Sequence, residues 1–316
     1  MRIVYMGTPE FAVKPLVKIF EAGHEVVGVY TQPDRQKGRG KKFLPSDVKV
    51  AATELGLSVY QPEKLRDKES VDQLRELNPD LVVVAAYGQI LSEEVLNIPK
   101  YGCVNIHASL LPKYRGASPI EASIMSGDEE TGITIMYMAK GLDTGDIISQ
   151  DSLPIGKHNT ETLTQALSEL GSELIVKTIE DIASGNSKRI PQNDSESTYA
   201  GKLDKSMGRL DYSKSADELE RLIRAMYPWP CAYTELDGKT LKIIAADVVE
   251  LSDGDDSEDN TVKSPGTIVE VTKKYFVIKC ADKGLKILKL QPEGKKPMDT
   301  VAFLNGYKVN VGQMVQ

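Results

Sequence analysis

Residues 2–30 read RIVYMGTPEFAVKPLVKIFEAGHEVVGVY, and their pattern decides the fold of the first half of the chain. An apolar run, a turn, a helical period and a second apolar run follow one another at residues 2–6, 7–9, 10–22 and 25–30. This order predicts a βαβ unit, whose strands are parallel and whose crossover is right-handed. The turn GTPEF lacks the glycines of GxGxxG, so the sequence does not indicate a dinucleotide site there.

The same alternation of elements continues to about residue 188 and then changes. Further strands are predicted at residues 58–60, 80–88, 103–107, 131–139 and 147–153. Residues 189–206 are polar and without a period, as in a linker, and residues 207–316 contain short alternating strands bounded by Gly, Asp or Pro. We therefore predict an α/β fold with a mostly parallel open sheet over residues 1–188, followed by a small β-barrel.

Composition limits the class of protein. The chain has 316 residues and a 41% apolar share, so two hydrophobic cores are expected. No apolar run reaches the length of a membrane span, and the first residues enter a strand without the features of a secretion signal. The three cysteines are far apart and show no CxxC zinc pattern. We expect a cytoplasmic monomer with no metal and no membrane partner.

The net charge of −7 is unevenly distributed. Residues 31–50 contain six Lys or Arg and two Asp, and residues 260–316 contain ten Lys and four acids. An acidic protein can still present such basic surfaces to a polyanion. For each patch taken alone, solvated surface lysines are an equally good interpretation.

The stretch CVNIHASLLPKYRGASP, residues 103–119, contains the strongest candidate for chemistry. Asn105 and His107 lie two apart in a predicted strand and therefore share a face. The glycine-flanked loop GLDTGDI offers Asp143 as a third member. An amide donor, an imidazole and a carboxylate suit acyl transfer to an amine, and no Ser or Cys is placed as a nucleophile. A core histidine with a helix-capping aspartate is the alternative.

The stretches NIHASLLPKYRGASPI and GLDTGDI together resemble the signature of the 10-formyltetrahydrofolate-dependent formyltransferases. GTPEF, TQPDRQKGRGKK, VVAAYG, TGITIM and YPWP extend the resemblance over nearly the whole chain. It implies a Rossmann-like catalytic domain over residues 1–188, a linker over 189–206 and a C-terminal OB-type domain over 207–316 that helps to hold tRNA.

The resemblance also implies a catalytic set and a cofactor. Asn105 and a protonated His107 would stabilise the oxyanion, and Asp143 would orient and charge the imidazole. The formyl donor would be 10-formyltetrahydrofolate, released as tetrahydrofolate, with no metal involved. Its pterin ring would contact Ser109, Leu110, Leu111, Pro112, Val84, Ala86, Tyr87, Gly88 and Ile90.

The basic loop after the second predicted strand helps to indicate which amine accepts the formyl group. Family members that share the catalytic set formylate different amines, and a small acceptor gives no reason for so many cations, whereas a tRNA acceptor stem does. The expected acceptor is the methionine α-amine of initiator methionyl-tRNA, used in translation initiation. The expected tRNA contacts are Arg35, Lys37, Arg39, Lys41 and Lys42, with Arg39 reaching the stem. The acidic segment at residues 253–260 would face away from the tRNA.

Three other functions stay open at this point. An amino-sugar-nucleotide formyltransferase would share the catalytic set and the YPWP motif but would not need the basic loop. A formyltetrahydrofolate hydrolase would use water in place of the amine. A catalytically inactive RNA-binding protein would rest on the basic patches alone.

Overall fold

The computed structural model describes residues 1–37, 42–251 and 264–316. These residues form two compact units that interleave along the chain. The first comprises Met1–Pro119, Glu130–Pro154 and Leu163–Gly201, and the second Ile120–Glu129, Ile155–Thr162 and Lys202–Gln316. The domain limits drawn from the sequence stay a prediction. The acidic segment at 253–260 lies outside the described residues.

The first unit is built on a seven-stranded sheet of described residues. Its strands, with four short ones outside the sheet, are β1 (Arg2–Gly7), β2 (Glu25–Tyr30), β3 (Arg35–Lys37), β4 (Lys42–Leu44), β5 (Val59–Tyr60), β6 (Leu81–Ala85), β7 (Cys103–His107), β8 (Arg115–Gly116), β9 (Glu130–Tyr137), β10 (Ile147–Pro154) and β11 (Tyr199–Ala200). The sheet order is β10-β9-β7-β6-β1-β2-β5. The five strands from β7 to β5 pair in parallel, and β9 and β10 form an antiparallel edge. The predicted parallel βαβ opening is confirmed.

The helices of the first unit are α1 (Val13–Glu21), α2 (Asp47–Glu54), α3 (Lys68–Glu76), α4 (Glu93–Leu96) and most of α6 (Thr160–Ser184), whereas α5 (Pro119–Ser126) lies almost wholly in the second unit. Two of them, α2 and α4, begin at a serine that caps the first turn. Ser46 caps α2, since its Oγ accepts from the Lys49 backbone N–H at 3.1 Å. The predicted helix at 10–22 is a 3-10 turn, Glu10–Ala12, followed by α1. Pro15 falls in the first turn of α1, where no intrahelical backbone donor is needed.

Burial explains why the central strands are apolar throughout. All five residues of β6 are buried, as expected for a parallel strand covered on both faces. Helix α6 buries Leu163, Leu167, Ile175, Ile179 and Ile182 at helical spacing. Each such side chain contributes about 1.5–3 kcal/mol relative to an exposed position. The core therefore fixes the register of the strands whose ends carry the candidate site.

The second unit contains an antiparallel sheet. Its elements are α7 (Ala216–Met226), β12 (Ala232–Leu236), β13 (Lys239–Val249), β14 (Ile268–Val271), β15 (Phe276–Lys279), β16 (Gly284–Pro292), β17 (Met298–Asp299) and α8 (Thr300–Gly306). The described strands pair in the order β12-β13-β16-β15-β14, with β17 on β16. Ser215 and Glu218 form a capping box that begins α7. The predicted fold class, a Rossmann-like sheet followed by a small antiparallel β domain, is confirmed.

In the part of the chain that the structure describes, helices fall short of the length and apolarity needed to cross a membrane.

Candidate active site

Strand β7 carries Asn105 and His107 near the centre of the sheet of the first unit. It pairs in parallel with β6, which places Val84 beside Asn105. It pairs antiparallel with β9, which places Met136 beside Asn105 and Thr134 beside His107. Both neighbours are core strands, so the position and facing of the two polar side chains are fixed by register. The predicted shared face follows directly from this pairing.

His107 is 5% exposed and its ring orientation is fixed on one side by the backbone. Its Nε2 lies 3.0 Å from the Tyr114 carbonyl oxygen, which can only accept, so Nε2 carries a proton. Its Nδ1 lies 3.8 Å from Asp143 Oδ2. Burial lowers the pKa of His107, and the nearby Asp143 carboxylate and the Tyr114 carbonyl oppose this shift without overcoming it. The lowered pKa favours a neutral ring in the resting protein, and the protonated ring that the sequence leads us to expect during the reaction stays a prediction.

Asp143 lies in the loop between β9 and β10, which the local backbone holds in an unusual conformation. The residue has φ +52°, in the left-handed region that costs a non-glycine residue energy. Its Oδ2 accepts a hydrogen bond of 2.8 Å from the Gly116 backbone N–H. Gly145 closes the same loop, and a Cβ there would lie 1.7 Å from the Tyr137 carbonyl oxygen. The loop sequence is thus adapted to hold one carboxylate against the β7 histidine.

Asn105 is half-buried, and its side chain makes no hydrogen bond to another described residue. An amide has two donors and an acceptor that remain available to a ligand. The structure therefore brings together all three residues of the predicted catalytic set, and the side chain of Asn105 has no hydrogen-bond partner among the described residues.

The loop after β7 is held by buried hydrogen bonds. Thr134 Oγ1 donates to the Ser109 carbonyl oxygen at 2.6 Å and accepts from the Leu111 backbone N–H at 3.0 Å. Gln150 Nε2 donates to the Leu111 carbonyl oxygen at 3.0 Å. Ser109 Oγ donates to the Lys113 carbonyl oxygen at 2.6 Å, and the Leu111–Pro112 peptide bond is cis. Of the predicted cofactor wall, Ser109 and Leu111 are buried in this loop, whereas Leu110 and Pro112 are partly exposed.

A cavity of about 270 Å³ opens at the carboxyl ends of β6, β1 and β2, next to β7 in the sheet. It is lined by Thr8, Pro9, Gln32, Pro33, Arg35, Leu44, Ser46, Ala86, Tyr87 and Gly88. The chain leaves β1 towards β2 on one side, whereas β6 lies on the other, and ligands of open α/β sheets bind at such a switch point. The cavity is therefore a candidate binding site, at the ends of strands next to the one that carries Asn105 and His107.

Three strand ends are tied together at the wall of this cavity. The Tyr87 carbonyl oxygen accepts from Thr8 Oγ1 at 2.9 Å and from Gln32 Nε2 at 3.2 Å. Ala86, with φ +46°, precedes it. Of the predicted cofactor residues, Ala86, Tyr87 and Gly88 line the cavity, Val84 is buried in the core, and Ile90 is 91% exposed.

The predicted tRNA contacts fall in the hairpin formed by β3 and β4. Arg35 lines the cavity and donates from Nη2 to Gln32 Oε1 at 3.2 Å. Lys37 and Lys42 pair across the hairpin by their backbones. Arg39 and Lys41 lie outside the described residues, so their contacts with tRNA stay a prediction.

Groups of acidic, His and Cys side chains that could hold a metal ion do not occur among residues 1–37, 42–251 and 264–316.

The sequence was also compared with known families and proteins. Residues 1–179 match the formyl transferase family, and residues 202–308 match the formyl transferase C-terminal domain. The chain belongs to the formyltransferase family. Formyltransferase relatives named methionyl-tRNA formyltransferase resemble it from end to end. The protein of Lachnospira eligens is 48% identical, and the match covers 100% of this chain and 99% of the relative. The protein of Caldanaerobacter subterraneus is 45% identical, with 100% of both chains covered.

Solved structures share the fold. A Helicobacter canadensis N-formyltransferase in complex with folinic acid and dTDP-3-aminofucose has a TM-score of 0.67 at 20% identity, covering 92% of this chain and 99% of that one. HypX from Aquifex aeolicus in complex with tetrahydrofolic acid has a TM-score of 0.65 at 17% identity, covering 98% of this chain and half of that one. At these identities the likeness concerns the fold alone.

Several residues of the site were not found from the sequence. Thr8 and Gln32 are not singled out by the sequence, although each lies two residues after a predicted strand, at the end where parallel sheets bind ligands. Gln192 was assigned to the linker, yet its side chain contacts the Asp143 loop. A polar stretch without a period carries no local signal for such a contact.

Proposed function

We propose that this formyltransferase transfers the formyl group of 10-formyltetrahydrofolate to the α-amine of the methionine on initiator methionyl-tRNA. The observation that carries the proposal is the Asn105, His107 and Asp143 constellation in a chain 44–48% identical, over its full length, to relatives named methionyl-tRNA formyltransferase. The product, N-formylmethionyl-tRNA, serves translation initiation, which would place this protein in the cytoplasm, acting as a monomer.

His107 carries the proton in this proposal. The amine attacks the formyl carbon and must lose a proton, while the nitrogen of the donor must gain one as its bond to that carbon breaks. Because burial lowers the pKa of His107 and the Tyr114 carbonyl holds the proton of Nε2, Nδ1 is unprotonated at rest. Nδ1 accepts the proton from the amine and returns it to the departing nitrogen. Asp143, 3.8 Å from Nδ1, stabilises the imidazolium that exists between these two transfers.

Asn105 acts on the oxygen of the formyl group. This oxygen becomes negative when the carbon becomes tetrahedral, and an amide donor fixed on a strand can stabilise it without reorganising. The Asn105 side chain has no hydrogen bond to another described residue, so its donors need not leave a protein partner first. Direct transfer requires no acyl-enzyme.

The pterin ring of the folate donor, but not the whole donor, suits the cavity at the switch point. A volume of about 270 Å³ is just below the usual range of small-molecule sites, roughly 300–1,000 Å³, and suits one ring system. Its lining combines apolar residues with the polar Thr8, Gln32 and Ser46, which suits a flat heteroaromatic ring with hydrogen-bonding edges. We assign the pterin contacts to Ala86, Tyr87 and Gly88, with the 109–112 loop on the other side of His107. When bound, the donor supplies the formyl group and the leaving nitrogen.

The acceptor is proposed to reach the site over the β3–β4 hairpin. Arg35 already lines the cavity, and Lys37 and Lys42 pair by their backbones at the end of the hairpin nearest its turn. Cations that lead from a polyanion to the reaction site suit a tRNA acceptor stem better than a small amine. Arg39 and Lys41 extend the same basic run, and lysines of the second unit supply further phosphate contacts.

One assay tests the activity and separates the alternatives. The protein is incubated with 10-formyltetrahydrofolate and either charged initiator tRNA or a dTDP-amino sugar, and the products are resolved. We expect formylmethionyl-tRNA. Formylation of the sugar alone would indicate a sugar formyltransferase, release of formate with no acceptor dependence a hydrolase, and no product an inactive RNA-binding protein. Any of these three results would reject the proposal.

A second experiment tests the acceptor surface. The dissociation constant for initiator tRNA is measured against salt concentration for the wild type and for Arg39→Ala. Loss of one phosphate contact lowers the slope of log K against log salt by roughly 0.9. An unchanged slope together with unchanged affinity would remove Arg39 from the interface.

A further inference from the structure

Residues 190–200, the clamp segment, hydrogen-bond to both loops that form the catalytic set. Ile190 exchanges two backbone hydrogen bonds with Ile147, of 2.8 and 3.0 Å, at the end of the Asp143 loop. Strand β11 pairs in parallel with β8, which places Tyr199 beside Arg115 and Ala200 beside Gly116. The segment that looks like a linker in the sequence thus contacts the loop that contains Asp143 and the loop that provides the acceptor of His107.

Gln192 joins the two loops with one side chain. Its Nε2 donates to the Asp143 carbonyl oxygen and to the Gly145 carbonyl oxygen, both at 2.8 Å. Its Oε1 accepts from Arg115 Nε at 3.0 Å and from Arg115 Nη2 at 2.8 Å. The amide cannot be turned over, because carbonyls only accept and a guanidinium only donates.

The loop that contains Arg115 also provides hydrogen-bond partners for His107 and Asp143. Arg115 is followed by Gly116, whose N–H donates to Asp143 Oδ2, and preceded by Tyr114, whose carbonyl accepts from His107. The Tyr114 N–H in turn donates to Thr198 Oγ1 of the clamp segment at 2.8 Å. A shift of Gln192 would therefore move Asp143 and the acceptor of His107 at once.

Backbone strain makes this support necessary. Tyr114 has φ +60° and Asp143 has φ +52°, so both loops adopt a conformation that L-residues avoid. Such residues persist only where the surroundings hold them. At Gly116 a Cβ would lie 2.4 Å from the Ala200 carbonyl oxygen, so the clamp segment approaches this loop as closely as a glycine allows.

We infer that Gln192 is a positioning residue, which sets the distance between Asp143 and His107 by hydrogen-bonding the Asp143 loop to the Arg115 loop. The inference rests on the proposed function for its consequence in catalysis, but not for the geometry that it predicts. The effect of Gln192 passes through the Asp143 loop, to which its side chain donates two hydrogen bonds.

Two substitutions test the hydrogen bonds of the Gln192 side-chain amide in different ways. Gln192→Met keeps the length of the side chain and loses its hydrogen bonds to Arg115 and to the two carbonyl oxygens of the Asp143 loop, together with a longer contact of 3.9 Å from Nε2 to Met136 Sδ. Gln192→Glu keeps an acceptor for Arg115 but points a carboxylate at two carbonyl oxygens. Asn193→Asp is the matched control, since it makes the same amide-to-carboxylate change one residue away. Asn193 is exposed and uses its side-chain oxygen, which aspartate retains, to accept from Ser195.

Single-turnover formyl transfer gives the first readout. Both Gln192 variants should slow transfer on the order of tenfold to a hundredfold, because a shift of about 1 Å in a reacting group has an effect of that size. The KM values for both substrates should stay within about threefold, as should the rate for Asn193→Asp. Thermal melting is recorded for every variant, and rates are measured well below the lowest midpoint. A normal rate for Gln192→Glu would overturn the inference.

The second readout needs no activity. Asp143 is the charged group that faces His107 among the described residues, and it raises the pKa of the imidazole against the effect of burial. If the Asp143 loop moves away in Gln192→Met, the pKa of His107 falls further, which an NMR titration of the ring nitrogens detects. An unchanged titration contradicts the positioning role even if the protein forms no formylmethionyl-tRNA. If only the proposed function is wrong, Gln192→Met should still lower the pKa of His107.

Discussion

Replacing Asp143 by asparagine tests the charge of the carboxylate while keeping its shape. The amide oxygen can still accept from the Gly116 N–H, so the loop keeps its main hydrogen bond to the 114–117 segment. What is lost is the attraction between a carboxylate and the imidazolium that forms during transfer. At 3.8 Å and an effective dielectric constant of about 20, this attraction amounts to about 4 kcal/mol.

The expected effect on the rate follows from that energy. Each 1.36 kcal/mol is about tenfold in rate, so Asp143→Asn should slow single-turnover formyl transfer by about a thousandfold. The pKa of His107, lowered by burial, should fall further without the carboxylate. Any limb of the pH–rate profile that reports His107 should therefore move to lower pH. This direction holds whether the active form of the ring is neutral or protonated.

Asp146→Asn is the control for this experiment. Asp146 lies in the same loop, but it is more exposed and forms an ion pair of 3.7 Å with Arg189. Ion pairs of this kind contribute little, so the control rate should stay within about twofold of the wild type. Rapid-quench measurement of formylmethionyl-tRNA compares the three proteins at saturating substrates. If the single-turnover rate of Asp143→Asn lay within fivefold of the wild-type rate, electrostatic support of His107 by Asp143 would be refuted.

Three further outcomes are expected. Asn105→Ala should lower the single-turnover rate on the order of a hundredfold or more with little change in folate binding, and a loss below fivefold would exclude Asn105 as the oxyanion donor. Gly145→Ala should lower both activity and the melting temperature, because its Cβ would lie 1.7 Å from the Tyr137 carbonyl oxygen, whereas Gly306→Ala, with nothing within 4 Å, should not. Because the pKa of His107 is lower in the folded protein, the unfolded state binds more protons, so stability should fall as the pH drops below about 6.5. His107→Gln should flatten that part of a melting-temperature profile, and an unchanged slope would contradict the pKa direction.

Much of the fold, and the shared face of Asn105 and His107, could be predicted because both depend on local periodicity. The apolar run of β6 has no polar face, which indicates a parallel strand covered on both sides. In β7, Asn105 and His107 are two residues apart and therefore share a face whatever the rest of the chain does. This placement needs no long-range contact.

The protonation state of His107 could not be predicted in this way. The sequence shows a carboxylate near an imidazole and therefore favours the charged ring. Burial is a property of all the elements packed around the ring, and here it outweighs a carboxylate that is 3.8 Å away. Burial lowers the pKa of a histidine and a nearby carboxylate raises it, and the distances in the folded protein decide which effect is larger.

Gln192 illustrates a different limit. Its partners Arg115 and Asp143 are 77 and 49 residues away, and nothing in RIPQNDSES distinguishes a clamp from a solvated linker. Residues on strands are positioned by register, so neighbours within the sheet suffice to hold Asn105 and His107. Asp143 is on a loop in a left-handed conformation, and a loop has no register to hold it. Its position must come from hydrogen bonds to other segments, which is why the proposed catalytic geometry extends into a stretch that the sequence assigns to a linker.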